Sequence, residues 1–359
     1  MRIVQLIDSL QTGGAERIAV NFANALANQS VESYLVVTRK EGLLKSTINS
    51  KVHYRFLKKT KIFDFKAIKY FNKFIKSENI TIVHVHASSF FFATLAKIFG
   101  GKFKLIWHDH NGKRTDSTFF QGITLKLCSL FFYRILCVNN KMKDWLERRI
   151  SPRKVSVLNN FAEIKSNLNK TTKLKGEEGK RIVLLANLRA PKNHLFAIEA
   201  FQLILKKHPD WSLHFVGSDY KDVYSTQIKN SILSKGLDNS IFLYGAKTDV
   251  NYILSQSQIG VLTSVYEGLP VSVLEYGLAK LPVICTDVGD CNKVIINNVN
   301  GVLIKSNNKV QLENALLSLI NDTEKRIYFG KNLSDKINKE YSKETVIKTL
   351  LQIYNKIKS

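Results

Sequence analysis

Short apolar runs alternate with longer amphipathic ones along almost the whole chain, and they do so in two series. The first series predicts strands at 2–7, 33–38, 81–85, 103–107 and 134–138, with helices at 15–28, 64–76, 89–98 and 141–149. The second predicts strands at 181–186, 212–216, 240–243, 258–263 and 282–285, with helices at 193–207, 224–235, 249–255, 270–280 and 309–320. Strands that alternate with helices build parallel sheets, because a parallel neighbour is reached through a helical crossover. A stretch rich in Lys, Asn, Thr and Glu, 162–180, separates the two series. At 359 residues the chain also exceeds what one hydrophobic core supports. The expectation is an α/β protein of two doubly wound units: 1–165, a linker at 166–180, and 181–340. A tail helix, 341–359, with Val346, Leu350, Ile353 and Ile357 at helical spacing, must dock on one of them.

Composition narrows the function classes. Hydrophobic residues at 45% and charged residues at 23% exclude wholesale disorder. Lys and Arg exceed Asp and Glu by 54 to 29, a net charge of +25, which suits a polyanionic partner: nucleic acid, an anionic membrane face or a phosphorylated substrate. Residues 1–165 carry 28 basic and 11 acidic side chains, so the first unit holds most of the field. Cys128, Cys137, Cys285 and Cys291 sit in or beside apolar stretches without C-x-x-C spacing, which fits a reducing compartment better than a disulfide framework. Met1-Arg2 runs straight into a strand-like segment, and the charge-free run 79–96 contains Asn79, His84 and His86, so neither a leader nor a membrane span is expected. The reading is a cytoplasmic protein that touches the inner membrane face peripherally. The stretch 51–76, with Phe65, Ile68, Phe71 and Ile75 on one helical face among lysines, is its candidate contact. A lysine-coated helix packed on a sheet fits that stretch equally well.

Several strand-to-helix turns carry chemistry. Gly13-Gly14 follows the first strand, where a backbone without side chains and a helix N-terminus can meet an anion. Arg189 and Lys192 occupy the turn after 181–186 and can both point at a diphosphate. Tyr266-Glu267-Gly268-Leu269-Pro270 follows the strand ending near Thr263, and Glu275 lies inside the next helix. Pro270 suits a helix start, and two carboxylates so spaced can reach different parts of one extended ligand. His84/His86 and His108/His110 form two H-x-H pairs. Such pairs can bind zinc, but no further set of ligands with the right spacing accompanies them, and a histidine facing a reacting sugar is the better reading. No D-x-D occurs to hold a divalent ion on a nucleotide diphosphate.

Taken in order, these motifs resemble the retaining GT-B glycosyltransferases of the GT4 type. The likeness rests on Gly13-Gly14-Ala15-Glu16-Arg17, His108-Asp109-His110, Arg189 to Lys192, Gly217, Glu267 with Glu275, Pro282-Val283 and Thr286-Asp287-Val288-Gly289. The resemblance implies two facing Rossmann-like domains with an interdomain cleft and a nucleotide-sugar donor held mainly by the second. It implies catalytic roles for Glu267 and for His108 or His110. Donor contacts would come from Gly13, Gly14, Arg189, Lys192, Gly268, Leu269 and Glu275. Glu275 would take the ribose hydroxyls and Lys192 the diphosphate, with no obligatory metal and no cofactor. Two positions depart from the family pattern: Asn187 stands where an arginine is usual, leaving Arg189 as its substitute, and Gly289-Asp290 stands where Gly-Gly is common.

The function so implied is transfer of a sugar from a nucleotide diphosphate, UDP by preference, to a glycan or polyprenyl-diphosphate-linked glycan in surface polysaccharide synthesis. Capsule, lipopolysaccharide or O-antigen would be the product. The runners-up are a nucleotide-sugar epimerase of the same architecture and a basic nucleic-acid-binding protein. The second lacks any helix-turn-helix, zinc-finger or RNA-recognition pattern.

Overall fold

A computed structural model describes residues 1–111, 119–151, 154–163 and 170–358. The chain divides into two compact units, Met1–Phe161 with Lys343–Ser359, and Ala162–Ser342.

In the first unit β1 (Arg2–Ser9), α1 (Gly14–Leu26), β2 (Glu32–Lys40), β3 (His53–Phe56), α2 (Phe65–Ser77), β4 (Ile82–His86), α3 (Phe90–Ile98), β5 (Lys104–Asp109), α4 (Phe119–Ser129), β6 (Phe132–Cys137), α5 (Asn140–Arg149) and β7 (Val155–Val157) follow in order. The seven strands form one parallel sheet in the order β3-β2-β1-β4-β5-β6-β7. Side chains of β4 are buried without exception, and those of β1, β2 and β5 are buried over most of their length. Burial on both faces explains why these strands read as continuous apolar runs instead of alternating ones.

The second unit repeats the plan with β8 (Arg181–Leu185), α6 (His194–Leu205), β9 (Ser212–Val216), α7 (Val223–Ser234), β10 (Ile241–Leu243), α8 (Val250–Ser255), β11 (Ile259–Leu262), α9 (Val271–Leu278), β12 (Val283–Thr286), α10 (Cys291–Val294), β13 (Val302–Ile304), α11 (Lys309–Asn321) and α12 (Thr323–Glu340). Its parallel sheet runs β10-β9-β8-β11-β12-β13. In both sheets the chain moves outward from the first strand and then returns to its other side. The gaps between β1 and β4, and between β8 and β11, are therefore switch points, where the following loops part and leave room for a ligand.

The tail helix α13 (Lys343–Lys358) groups with the first unit, where it packs on α1 and buries Val346, Leu350, Tyr354 and Ile357. Residues 170–180 behave differently from a free linker. The backbone N–H groups and hydroxyls of Thr171 and Thr172 all donate to the Asp249 carboxylate, and Leu174 is buried. Polar composition here marks a largely exposed segment that is tied down at Thr171, Thr172 and Leu174.

Of the two readings of the apolar stripe on α2, the structure carries the packed helix. Ile68, Phe71 and Ile75 are 3% exposed or less and pack inside the unit, leaving only Phe65 of that set outside, at 58%. Three residues of the stripe are thus core side chains, and the exposed apolar residues lie instead at Ile62, Phe63, Phe65, Tyr70 and Phe99.

Tyr276 locks the second unit's switch point from below. Its ring fills the space over Gly260, where an added methyl would lie 2.7 Å from the ring. Its buried hydroxyl accepts from the Leu185 N–H at 2.7 Å and lies 3.1 Å from the Val261 carbonyl, so it links β8 to β11. Tyr276→Phe strands the Leu185 donor and should destabilise the unit by about 1–3 kcal/mol. A urea titration followed through Trp211 fluorescence checks this, and an unchanged midpoint would show that the hydroxyl links nothing.

Candidate active site

The carboxyl ends of β8 and β11 carry two loops that are fastened to each other. The Thr263 hydroxyl donates to the carbonyls of Lys192 and Asn193 at 2.9 and 3.2 Å, and the Val265 N–H donates to the Pro191 carbonyl at 2.8 Å. Asn193, at φ 54°, takes the left-handed turn that starts α6, a conformation Asn tolerates better than most residues. The turn delivers Lys192 to Glu267: Nζ lies 2.5 Å from Oε1, with the two side chains 29% and 10% exposed. Ser264 Oγ donates to the same carboxylate oxygen at 2.6 Å, and the Thr286 hydroxyl holds the Ser264 carbonyl at 2.6 Å. One carboxylate is therefore fixed by a cation and a hydroxyl, largely out of water, at the switch point of the sheet.

Gly289 makes the far wall possible. It adopts φ 58°, and a methyl there would lie 2.2 Å from the Glu267 carbonyl oxygen. The next N–H, of Asp290, donates to the Gly268 carbonyl at 2.8 Å, so this turn braces the Glu267-Gly268 loop. Burial raises the Asp290 carboxyl above its ordinary range, against the opposing effect of Lys293 at 2.9 Å. Gly268 and Leu269 are buried beneath the loop. Glu275 stands half-buried on α9, one element further on.

Asn187 has a structural task. Its side-chain oxygen accepts from the Ser218 N–H at 2.8 Å, and its amide donates to the Tyr220 hydroxyl at 3.2 Å. Arg189 is exposed, with its guanidinium 4.5 Å from the centre of the same Tyr220 ring, so the two residues share one anchor on the loop after β9. Gly217 lets that loop cross β8, since a methyl there would lie 2.1 Å from the Ala186 carbonyl.

In the first unit Gly13 caps α1 and Gly14 opens it, with nothing within 4 Å of where a Gly14 methyl would point. A carboxylate already sits at this turn. Glu16 Oε2 lies 2.0 Å from where a Gly13 methyl would be, and Ser9 Oγ donates to Glu16 Oε1 at 3.0 Å. An incoming phosphate must displace or share this position.

The four histidines from the two H-x-H pairs meet in one stack at the ends of β4 and β5. Ring centres lie 4.6 Å apart for His84/His86, 5.3 Å for His86/His110 and 4.1 Å for His108/His110. His84, His86 and His108 bring ring nitrogens within 4.8 Å of one another. Their planes nevertheless incline by only 17–35°. His86 already uses both ring nitrogens, on Gln5 and His110, and His84 Nδ1 faces the Tyr354 hydroxyl. His108 is 0% exposed and packs against Phe22. His110, just past the end of β5, is the member of its pair with some exposure.

Of the site residues the sequence suggested, the structure thus joins Lys192 to Glu267, sets Gly268 and Leu269 beside them, and buries His108. Thr286 and Gly289 belonged to a motif of the resemblance but were given no role, and the fastening roles of Ser264 and Thr263 were missed; position at the end of β11 was their only signal.

Two family models match consecutive stretches of the chain. Residues 12–165 match "Glycosyltransferase Family 4" and residues 166–335 match "Glycosyl transferases group 1". The UDP-Gal:alpha-D-GlcNAc-diphosphoundecaprenol alpha-1,3-galactosyltransferase of Escherichia coli is 26% identical, over 93% of this chain and 91% of that protein. An uncharacterised glycosyltransferase of Haemophilus influenzae is 25% identical, over 93% and 94%. Among solved structures, Anabaena HepE in complex with UDP and glucose superposes with a TM-score of 0.82 at 15% identity, covering 99% of each chain. Sucrose-phosphate synthase from Thermosynechococcus elongatus gives 0.81, also at 15% identity and 99% coverage of each. The fold and the matched models define the class: the chain belongs to the glycosyltransferases of GT-B fold.

The histidine stack makes the first unit acid-sensitive. Burial lowers His84 and His110 to about 3 and pushes His86 and His108 well below their ordinary value. An unfolded histidine titrates near 6.5. Between about pH 6.5 and 3 the unfolded chain therefore binds protons that the folded one refuses, and stability falls as pH falls. The slope is about 1.4 kcal/mol per pH unit for each histidine held neutral. Urea midpoints read from Trp107 fluorescence should drop clearly between pH 7.5 and 5.5, and equal midpoints would contradict the neutral stack.

Proposed function

We propose that the protein moves a sugar from a nucleotide-diphosphate donor, UDP-linked by preference, to a glycan or polyprenyl-diphosphate-linked glycan, with retention of anomeric configuration. The single observation that carries the reading is the Lys192–Glu267–Ser264 constellation at the β8/β11 switch point. It supplies a cation for a departing diphosphate and an oriented carboxylate for the sugar. The relative that acts on a diphosphoundecaprenol-linked sugar with a UDP donor, matched over 93% of this chain, supports the donor and acceptor classes. So do relatives named for O-antigen and amylovoran biosynthesis, matched over 84% and 80%.

On this reading Lys192, aided by Arg189 and the N-terminus of α9, stabilises the charge that develops on the leaving diphosphate, so no metal is obligatory. The diphosphate draws Lys192 from Glu267, whose carboxylate then accepts from donor-sugar hydroxyls. Glu275 takes the ribose hydroxyls with both oxygens. Backbone at Gly268 and Leu269 and the turn at Gly13-Gly14 complete the donor contacts, and His110 meets the transferred sugar. Because the charge on the departing diphosphate is then neutralised by protein groups alone, chelators should not reduce turnover.

The acceptor's lipid motivates a peripheral membrane role for the first unit. Among the described residues no helix is long and apolar enough to cross a membrane. Ile62, Phe63, Phe65 and Phe99 are each more than half exposed and cluster through the Phe65–Phe99 contact at 5.3 Å, with Lys61, Lys66, Lys69 and Lys102 exposed around them. Exposed aromatics ringed by lysines match an anionic leaflet.

Two tests follow from this reading. Glu267→Gln and Lys192→Ala should each lower kcat about 100-fold or more while circular dichroism stays unchanged. Full activity in both would end the assignment. UDP should raise the melting temperature of the wild type and do so less in Lys192→Ala. Separately, Phe63→Ser with Phe65→Ser should weaken sedimentation with phosphatidylglycerol vesicles and leave transfer to a soluble acceptor intact. Equal binding by wild type and double variant would place the membrane contact elsewhere.

A further inference from the structure

Within the first unit a continuous hydrogen-bonded array runs from the tail helix to His110. The Gln5 amide donates through Nε2 to the Tyr354 hydroxyl at 3.1 Å, and its Oε1 faces His86 Nε2 at 2.8 Å. His86 Nδ1 faces His110 Nε2 at 3.0 Å, and the Tyr354 hydroxyl faces His84 Nδ1 at 2.6 Å. Gln5, His84 and His86 are 0% exposed, and so is Tyr354.

A neutral imidazole has one N–H and one lone pair, so each link fixes the next. Gln5 Oε1 can only accept; His86 therefore carries its proton on Nε2 and accepts at Nδ1. His110 must then carry its proton on Nε2, which leaves Nδ1 as an acceptor. On the other arm Tyr354 accepts from Gln5 and donates its own proton to His84 Nδ1. Turning the Gln5 amide over reverses every proton in the array and leaves His110 with a donor at Nδ1. A third, in which the Tyr354 hydroxyl accepts from both Gln5 and His84, changes the proton on His84 alone, so the two amide orientations remain the only choices for His110. Burial disfavours a charged ring anywhere along the chain, so the array cannot escape this choice by protonation. His110 Nδ1 has no partner among the described residues.

We infer that Gln5 and Tyr354 are positioning residues for His110: they hold its ring just past the end of β5 and decide whether its remaining nitrogen accepts or donates. This rests on the proposed role of His110 at the transferred sugar. It adds that the tail helix, through Tyr354, belongs to the chemical apparatus of the first unit and does more than cover its surface. In the arrangement observed, His110 Nδ1 is a buried, unpartnered atom that carries a lone pair, suited to accept from a hydroxyl and not to meet a phosphate oxygen.

The test uses full-length protein labelled with nitrogen-15 histidine. Long-range proton–nitrogen spectra of the wild type should show His110, assigned through His110→Ala, as one neutral tautomer protonated at Nε2. Gln5→Met should leave it averaged between tautomers, with kcat about ten-fold lower and the donor KM unchanged; loss of a partner behind a functional histidine has effects of this order. Tyr354→Phe should move both readouts in the same direction. Ile357→Val, which loosens the same helix outside the array, should lower the melting temperature with neither change. A single unaltered His110 tautomer in Gln5→Met overturns the inference. So does wild-type kcat in Gln5→Met when His110→Ala is inactive. Full activity of His110→Ala would instead end the reading of His110 at the sugar, and it is recognised by that variant alone.

Discussion

The Lys192–Glu267 pair concentrates the logic of the second unit. Two opposite charges with little exposure gain from each other only when geometry and further hydrogen bonds offset their lost hydration. Here the backbone supplies the geometry. Thr263 grips the Lys192 carbonyl, Thr286 grips the Ser264 carbonyl, and Ser264 returns a hydrogen bond to Glu267. Every one of these residues lies within a few positions of the end of β8, β11 or β12. The pair can exist only because three parallel strands finish side by side, which is what the strand order at this switch point provides. A pair held this way is also poised to exchange. A phosphate offers the lysine a stronger charge than a carboxylate already shared with a serine, so donor binding can be coupled to release of the carboxylate for sugar contacts.

Much of the fold was legible because its strands are buried on both faces. Runs such as Ile182-Val183-Leu184-Leu185 and Leu105-Ile106-Trp107 have no polar alternation to confuse them with surface strands. The elements that escaped notice lack that mark. β3, β7 and β13 lie at sheet edges, are short and are only partly buried, so they read as loops. α12 escaped because its buried residues, Phe329, Leu333 and Ile337, are scattered among lysines and asparagines. In α2 the periodicity was read correctly, but the face it defines turned inward. A pattern of spacing states that a helix has an apolar side and not what covers it.

The site was legible in its charged members and not in its fasteners. Glu267, Lys192 and Glu275 drew attention because a charge between an apolar strand and a turn has few bland explanations. Ser264, Thr263 and Thr286 are common residues at strand ends, and only coordinates reveal that the two threonine hydroxyls bind backbone carbonyls across strands and that the Ser264 hydroxyl binds the Glu267 carboxylate. Gly289 is similar: its positive φ and its closeness to Glu267 depend on a partner loop more than twenty residues earlier in the chain. The histidines show the converse error. H-x-H on a strand puts both rings on one face, which suits a ligand cluster or, the better reading on paper, a sugar contact. The parallel neighbour decides: β4 and β5 run in register, pairing His86 with His108, so the four rings stack against each other.

That stack bears on how the tail helix was selected. A buried neutral histidine with unmet ring nitrogens costs stability, and His84 Nε2 and both His108 nitrogens have no partner among the described residues. An apolar core of equal volume would be simpler. Polar residues retained at such a cost need a compensating role, and connection supplies one. Gln5 on β1, His86 on β4 and Tyr354 on α13 are remote in sequence, yet each completes the hydrogen bonding of the next. A leucine at 354 could fill the space, but it would leave the Gln5 amide without a fixed orientation and the rings beyond it without an assigned proton. The hydroxyl therefore carries information that hydrophobic docking alone cannot, and it explains why a tyrosine with a fully buried polar atom sits in the middle of the tail helix's apolar face.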